Sequence, residues 1–289
     1  MNYQEAATTF SCRGEHVVGI VAFPDTPTLT GVVVIVGGPQ YRAGSHRQFV
    51  LLSRALAANG FAVLRFDYRG MGDSKGDLRD FEAVGDDIGA AIDALQAAVP
   101  EVKQVALWGL CDGASAALLY CHETADQRVS GLCLLNPWVR SAASLARTQV
   151  KHYYTQRLLQ REFWLKLLRG GVALRALSGL TGNLRLALTG AKDTTDINLY
   201  GGPSAAYQSC MAQAWNTFGG KICLILSGDD YTAKEFLEFS SQDKHWRLAM
   251  NHPRLRRLDL QQADHTFSGT ADRRQVESLT IEWLRAVGT

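Results

Sequence analysis

The run Gly31–Val36, GVVVIV, carries no polar side chain at any position. A strand with one wet face alternates apolar and polar residues, whereas one without alternation is buried on both faces. Such strands sit in parallel sheets covered by helices, so this run predicts an α/β architecture. Similar apolar runs recur at Phe61–Phe66, Val102–Trp108, Val129–Leu135, Lys221–Ser227 and Leu255–Leu260. Helical patterns lie between them: Phe49–Asn59, stopped by Gly60, then Phe81–Ala98, Ala114–Cys121, Ala233–Ser240 and Gln275–Val287. At the N-terminus, Thr8–Arg13 and His16–Phe23 read as a hairpin around Arg13-Gly14. Alternating strands and helices predict right-handed β-α-β units, a mostly parallel sheet and helices on both faces. The alternation breaks between Arg140 and about Phe218, which holds helical patterns and loops but no convincing strand. The expected organisation is therefore a core of residues 1–139 and 219–289 with a helical cap at 140–218. Insertion at a loop tip costs the scaffold little.

Within this frame one stretch carries chemistry. Val105–Ala117, VALWGLCDGASAA, is an apolar strand end, then Gly109-Leu110-Cys111-Asp112-Gly113, then a small-residue helix. This is the G-x-nucleophile-x-G form of a nucleophile elbow, with cysteine where serine is usual. The tight strand-to-helix turn needs neighbours two positions away that are nearly free of side chain. Free N–H groups at the start of the following helix would favour a thiolate. The same pentapeptide also reads as a buried cysteine beside an ordinary glycine turn.

Four features together are more specific than the elbow. They are the elbow at Cys111, the stretch Asp67-Tyr68-Arg69-Gly70-Met71-Gly72-Asp73-Ser74, the strand end Ser227-Gly228-Asp229-Asp230, and Ala263-Asp264-His265-Thr266-Phe267. With them the chain resembles an α/β-hydrolase over nearly its full length, in the family's order of nucleophile, acid and histidine. More narrowly, Gly37-Gly38-Pro39-Gln40-Tyr41-Arg42, the following Gly44–Gln48 and the elbow resemble the first of the hydrolases associated with the exosortase A system. Those are bacterial proteins encoded with exopolysaccharide and protein-sorting genes.

The resemblance implies roles. Cys111 would attack a carbonyl carbon, and His265 would take the thiol proton and later activate water. An acid after the seventh strand would orient the imidazole: Asp230 is favoured, Asp229 is the close alternative, and Glu235 is weaker. One oxyanion donor should be the backbone N–H of Asp112. The second normally comes from the loop after the third strand, where Pro39 has no N–H, so Gln40 is the natural replacement. Gly38, with Gly37, lets backbone approach substrate closely. Tyr41, Arg42 and His46 would line the entrance or form a polar surface loop. Trp138 would wall the acyl pocket or pack under the cap. Asp67 and Asp73 receive no chemistry, since that segment is a structural turn in this fold.

Composition narrows the setting. Six cysteines without a C-x-x-C pair indicate neither a disulfide framework nor a zinc cluster, and reduced thiols fit a cytoplasmic protein. No apolar run approaches the roughly 20 residues of a membrane span, and no signal pattern opens the chain. No G-x-G-x-x-G or Walker loop follows an early strand, so no nucleotide cofactor is expected, nor a metal. From Arg140 to Lys192 there are ten Lys or Arg against one acid, Glu162, a local charge of +9. The rest of the chain therefore carries −7 of a net +2. Aromatics and leucines interleave with these cations (Tyr153, Leu158, Phe163, Trp164), giving one apolar and one basic face. That face would be solvated, or would dock an acidic carrier protein, a CoA-like phosphate or an anionic lipid surface. Nothing resembles a base-reading module, so nucleic acid is not expected. The combined expectation is a hydrolase of small-molecule esters or thioesters acting through an acyl-Cys intermediate. The rivals are an acyltransferase with the same residues and a non-catalytic binding module.

Overall fold

A computed structural model describes residues 2–38, 40–140 and 204–288. Among the described residues, eight strands form one sheet in the order β1-β2-β4-β3-β5-β6-β7-β8. They are β1 (Tyr3–Cys12), β2 (Glu15–Pro24), β3 (Thr30–Ile35), β4 (Val63–Phe66), β5 (Gln104–Leu110), β6 (Val129–Leu135), β7 (Lys221–Asp229) and β8 (Leu255–Asp264). β1 pairs with β2 and β2 with β4 in antiparallel fashion, and every later pairing is parallel. The helices among the described residues are α1 (Gln48–Ala58), α2 (Gly85–Ala98), α3 (Asp112–Thr124), α4 (Ser204–Thr217), α5 (Tyr231–Gln242), α6 (Lys244–Ala249) and α7 (Thr270–Val287).

The unbroken apolar runs are the central strands. All six residues of β3 are buried, as are all four of β4. Burial on both faces demands helices on both, and the helix contacts divide accordingly: α1 touches α7, while α3 touches α2 and α4. Arg65 lies inside β4 yet is buried, and it is paired with Glu5 of β1 at 3.3 Å. A buried charge without such a partner would be far more costly.

The predicted elements are present with shifted ends. The helix expected at Phe81–Ala98 is two pieces, because Asp80 accepts the Glu82 N–H at 3.0 Å and starts a short 3-10 turn, Phe81–Ala83, before α2. α6 was not anticipated. Asp243 caps it by accepting from His245 and Trp246 N–H, and Trp246 is buried against Trp215 and Phe236. Trp215 and Met211 lie on α4, which packs on α3 and α6 as part of the same core. α4 falls inside the span 140–218 expected as the cap, and residues 141–203 of that span lie outside the described residues. Among the described residues, no helix is long and apolar enough to cross a membrane.

Candidate active site

The parallel strands β3 and β5–β8 all point their C-terminal ends to one edge, where open α/β sheets bind ligands. Cys111 follows β5 directly and has φ 60° and ψ −126°. For a residue with a side chain this conformation is strained, by about 1–3 kcal/mol, and it is held by its surroundings. Here the Cys111 N–H donates to Leu135 O at 2.8 Å, and its carbonyl accepts from Ala114 N at 3.1 Å. The flanking glycines are required by closeness: a Cβ on Gly109 would lie 2.5 Å from the Gly113 carbonyl, and one on Gly113 would lie 2.5 Å from Ile35 O. Strand, turn and helix therefore interlock only with glycine at both positions.

His265 sits in the loop after β8, and its Nδ1 is 2.9 Å from Asp230 Oδ2. Asp230 is buried just past the end of β7 and also caps α5, accepting from Thr232 N at 3.0 Å and Ala233 N at 3.1 Å. Helix capping and contact with His265 are thus duties of one carboxylate. Asp229, the close alternative, ends β7 and is paired in register with Asp264. Glu235 is turned to Arg140, with Oε2 2.9 Å from its Nε. The His265 turn is itself held: Asp264 Oδ1 accepts from Thr266 N at 3.1 Å and Ser268 N at 2.9 Å.

Asn136 was missed by sequence reasoning. It follows β6 with φ 44° and is fully buried. Its Nδ2 donates to Ser227 Oγ at 2.8 Å and to His265 O at 3.1 Å, and its Oδ1 accepts from Ser227 N at 2.9 Å. Ser227 Oγ donates to Asp264 O at 2.8 Å. One amide therefore ties together the ends of β6, β7 and β8, from which Asp230 and His265 depart. The only sequence signal was a polar residue ending a buried apolar run.

The electrostatics differ from the expected thiolate. Burial pushes the Cys111 thiol up, and the neighbouring Asp112 carboxylate adds to the shift. Among the described residues no hydrogen bond joins Cys111 to His265, so the resting thiol keeps its proton and needs a base. The helix N-terminus does not prevail because an acidic side chain already occupies it. Asp112 Oδ1 accepts the Gly38 N–H at 2.5 Å, and burial raises its carboxyl to about 6 despite stabilisation by the N–H groups of Gly38, Gly113 and Asp112 itself.

The remaining expected residues divide. Trp138 is held by Ser115, whose Oγ donates to Trp138 O at 2.7 Å and accepts its N–H at 3.0 Å, and its ring carries Arg140 at 4.4 Å. Gln40 turns its side chain away, accepting Ser45 N at 3.0 Å. Arg42 is committed to Asp67 and Asp73, and Asp67 is buried and also accepts Asp73 N, so these residues form a structural turn. Tyr41 is half exposed. Beside Asp112 lies a largely apolar cavity of about 360 Å³ lined by Val36, Gly38, Tyr68, Met71, Phe81 and Trp138, together with the charged residues Arg79, Asp80 and Glu82. A larger cavity, about 590 Å³, touches Gln104, Val129 and Lys221, the opposite ends of the strands, and is remote from this chemistry. A strained thiol, an imidazole held by a buried carboxylate and an adjoining apolar cavity together can carry acyl transfer.

A family model described as serine aminopeptidase, S33, matches residues 28–177. No sequence among the curated proteins matches this chain. Among solved structures, the Pyrococcus furiosus esterase Pf2001 superposes with a TM-score of 0.64 at 16% identity, covering 98% of this chain and 93% of that one. Est1E from Butyrivibrio proteoclasticus, solved with ferulic acid bound, gives 0.61 at 15% identity, covering 96% and 100%. The proline iminopeptidase of Mycobacterium smegmatis gives 0.59 at 13% identity, covering 98% and 99%. At these identities the likeness is one of fold.

Proposed function

We propose that this chain, which belongs to the serine aminopeptidase S33 family of α/β-hydrolases, cleaves an ester or thioester through an acyl intermediate on Cys111. The observation that carries the reading is the 2.9 Å contact of His265 with buried Asp230, beside a cysteine in strained elbow backbone. His265, held in one tautomer by Asp230, accepts the Cys111 proton through its other nitrogen as Sγ bonds to the carbonyl carbon. The carbonyl pair moves to oxygen, then returns and expels the leaving group, which takes the proton from His265 where it needs one. Water then attacks the acyl thioester with His265 again as base, releasing the acid and the free thiol. The family is named for serine, and cysteine at this position fits a substrate whose acyl group passes readily to sulfur.

The apolar cavity beside Asp112 would take the acyl chain or leaving group. The part of the span 140–218 that precedes α4 would cap the site, with the basic span Arg140–Lys192 as a docking surface for an acidic carrier protein or anionic lipid headgroups. The loop Gly37–Gln48 and the elbow support a place beside bacterial exopolysaccharide and exosortase systems. The test is a panel of acyl esters and thioesters read against Cys111→Ala. Turnover of one class, abolished in Cys111→Ala and partly kept in Cys111→Ser, is expected. Full turnover by Cys111→Ala would overturn the covalent reading.

A further inference from the structure

Acyl transfer at Cys111 needs N–H groups aimed at the carbonyl oxygen. In this fold one belongs to the residue after the nucleophile, here Asp112. Because Pro39 has no N–H, the loop after β3 offers Gly38 instead. Gly38 N–H is the group bound by Asp112 Oδ1 at 2.5 Å, and the Asp112 N–H also stabilises that carboxylate. The approach is tight: a Cβ on Gly37 would lie 2.4 Å from Asp112 Oδ1. One donor that an acyl oxygen requires, the Gly38 N–H, is thus turned onto an internal anion, while the Asp112 N–H lies between that carboxylate and Cys111.

We propose that the Asp112 side chain gates the oxyanion site: ionised, it holds the Gly38 N–H and excludes an acyl oxygen, and once protonated or turned aside it releases that donor. This rests on Cys111 being the acyl nucleophile. Two negative oxygens cannot share one donor, so occupancy and like charge act together. The carboxyl titrates at about 6, because burial opposes its charge. The groups facing it are Cys111 on its own turn, His265 from the β8 loop, Tyr68 after β4, and Arg79, Asp80 and Glu82 from the segment leading to α2. Tyr68 is committed, donating to Val36 O at 2.6 Å. Burial and Asp80 also raise Glu82, so variants of Asp112 itself are needed to assign the titration.

The experiment compares two reactions of the same thiol in the full chain. Iodoacetamide alkylates a thiolate without forming an oxyanion, whereas p-nitrophenyl acetate acylates it through one and expels p-nitrophenolate. Rates at Cys111 are followed by mass from pH 5 to pH 8 for the wild type, Asp112→Asn and Asp112→Ala. The isosteric amide removes the charge with little change in packing. In the wild type the ratio of acylation to alkylation should fall at least tenfold as pH rises through 6, since the protonated fraction falls tenfold per unit above the pKa. In both variants the ratio should stay flat and exceed the wild-type ratio at pH 8. A ratio with the same pH dependence in wild type and Asp112→Asn overturns the gate alone. Alkylation of Cys111 with no acylation of it in any of the three proteins overturns the gate and the acyl-cysteine reading together.

Discussion

Asp230 spends one carboxylate on two partners: Oδ2 meets His265 Nδ1 at 2.9 Å, while the same group accepts the first N–H groups of α5. The imidazole is thereby fixed to a helix end and not to a mobile loop. Asparagine caps a helix about as well as aspartate, so Asp230→Asn separates the two duties. Stability should change by less than about 1 kcal/mol, while kcat/KM should fall roughly 10²–10⁴-fold as the imidazole loses its anionic partner. Asp229→Asn should remain near wild type. Steady-state kinetics with thermal melts check both, and an equal loss in Asp229→Asn would move the role to that residue.

Asn136 is predicted to position the site without touching substrate. Its removal leaves Ser227 N–H buried without its acceptor and frees the His265 carbonyl. Asn136→Ala should cost about 1–3 kcal/mol for the unmet buried groups, with a further penalty because φ 44° suits asparagine better than alanine. Activity should fall mainly in kcat, with KM little changed. A kcat at wild-type level in protein that has lost this stability would contradict the positioning role.

Burial of Asp112 carries a stability signature of its own. Its carboxyl is raised from 3.8 to about 6, so between those values the folded chain holds a proton that the unfolded chain has released. Stability from this group therefore falls as pH rises through that window and is lowest above it. Asp112→Asn removes the penalty. Relative to wild type it should gain on the order of 2 kcal/mol more at pH 8 than at pH 3.5. Urea unfolding at the two pH values checks this, and a wild-type-to-variant difference that does not change with pH would contradict it.

What the residues alone declare is whatever repeats along the chain. The β-branched run of β3 and the glycines around Cys111 declare a doubly covered parallel sheet and a tight turn, because no other residue types meet those demands. The N-terminal hairpin followed from the same kind of pattern, around Arg13-Gly14. The network around the site was not legible, because it joins groups far apart in the chain. Asn136 reaches across to Ser227 and His265, and nothing near residue 136 signals either partner. The raised thiol has a related cause: the helix N-terminus behind Cys111 is apparent in sequence, but the folding back of the Asp112 side chain onto Gly38 is not. Arg42 reads as lining the entrance or as part of a polar surface loop, and nothing near it in sequence signals its ion pairs with Asp67 and Asp73. α6 lacked a long periodic pattern and is held by Trp246 in a cluster contributed by α4 and α5.

The most direct measurement is to trap the intermediate. His265 is needed both to take the thiol proton and to activate water, so the acyl state is caught in the wild type by stopping the reaction early. The protein is mixed with an activated acetyl thioester at pH 6, quenched in acid within the first turnovers, digested, and analysed by peptide mass. One acetyl group is expected on the peptide bearing Cys111, released by hydroxylamine and absent from Cys111→Ala and His265→Ala. Turnover by the wild type with no acyl group on Cys111 at any quench time, or with the label on another cysteine, would contradict the covalent mechanism.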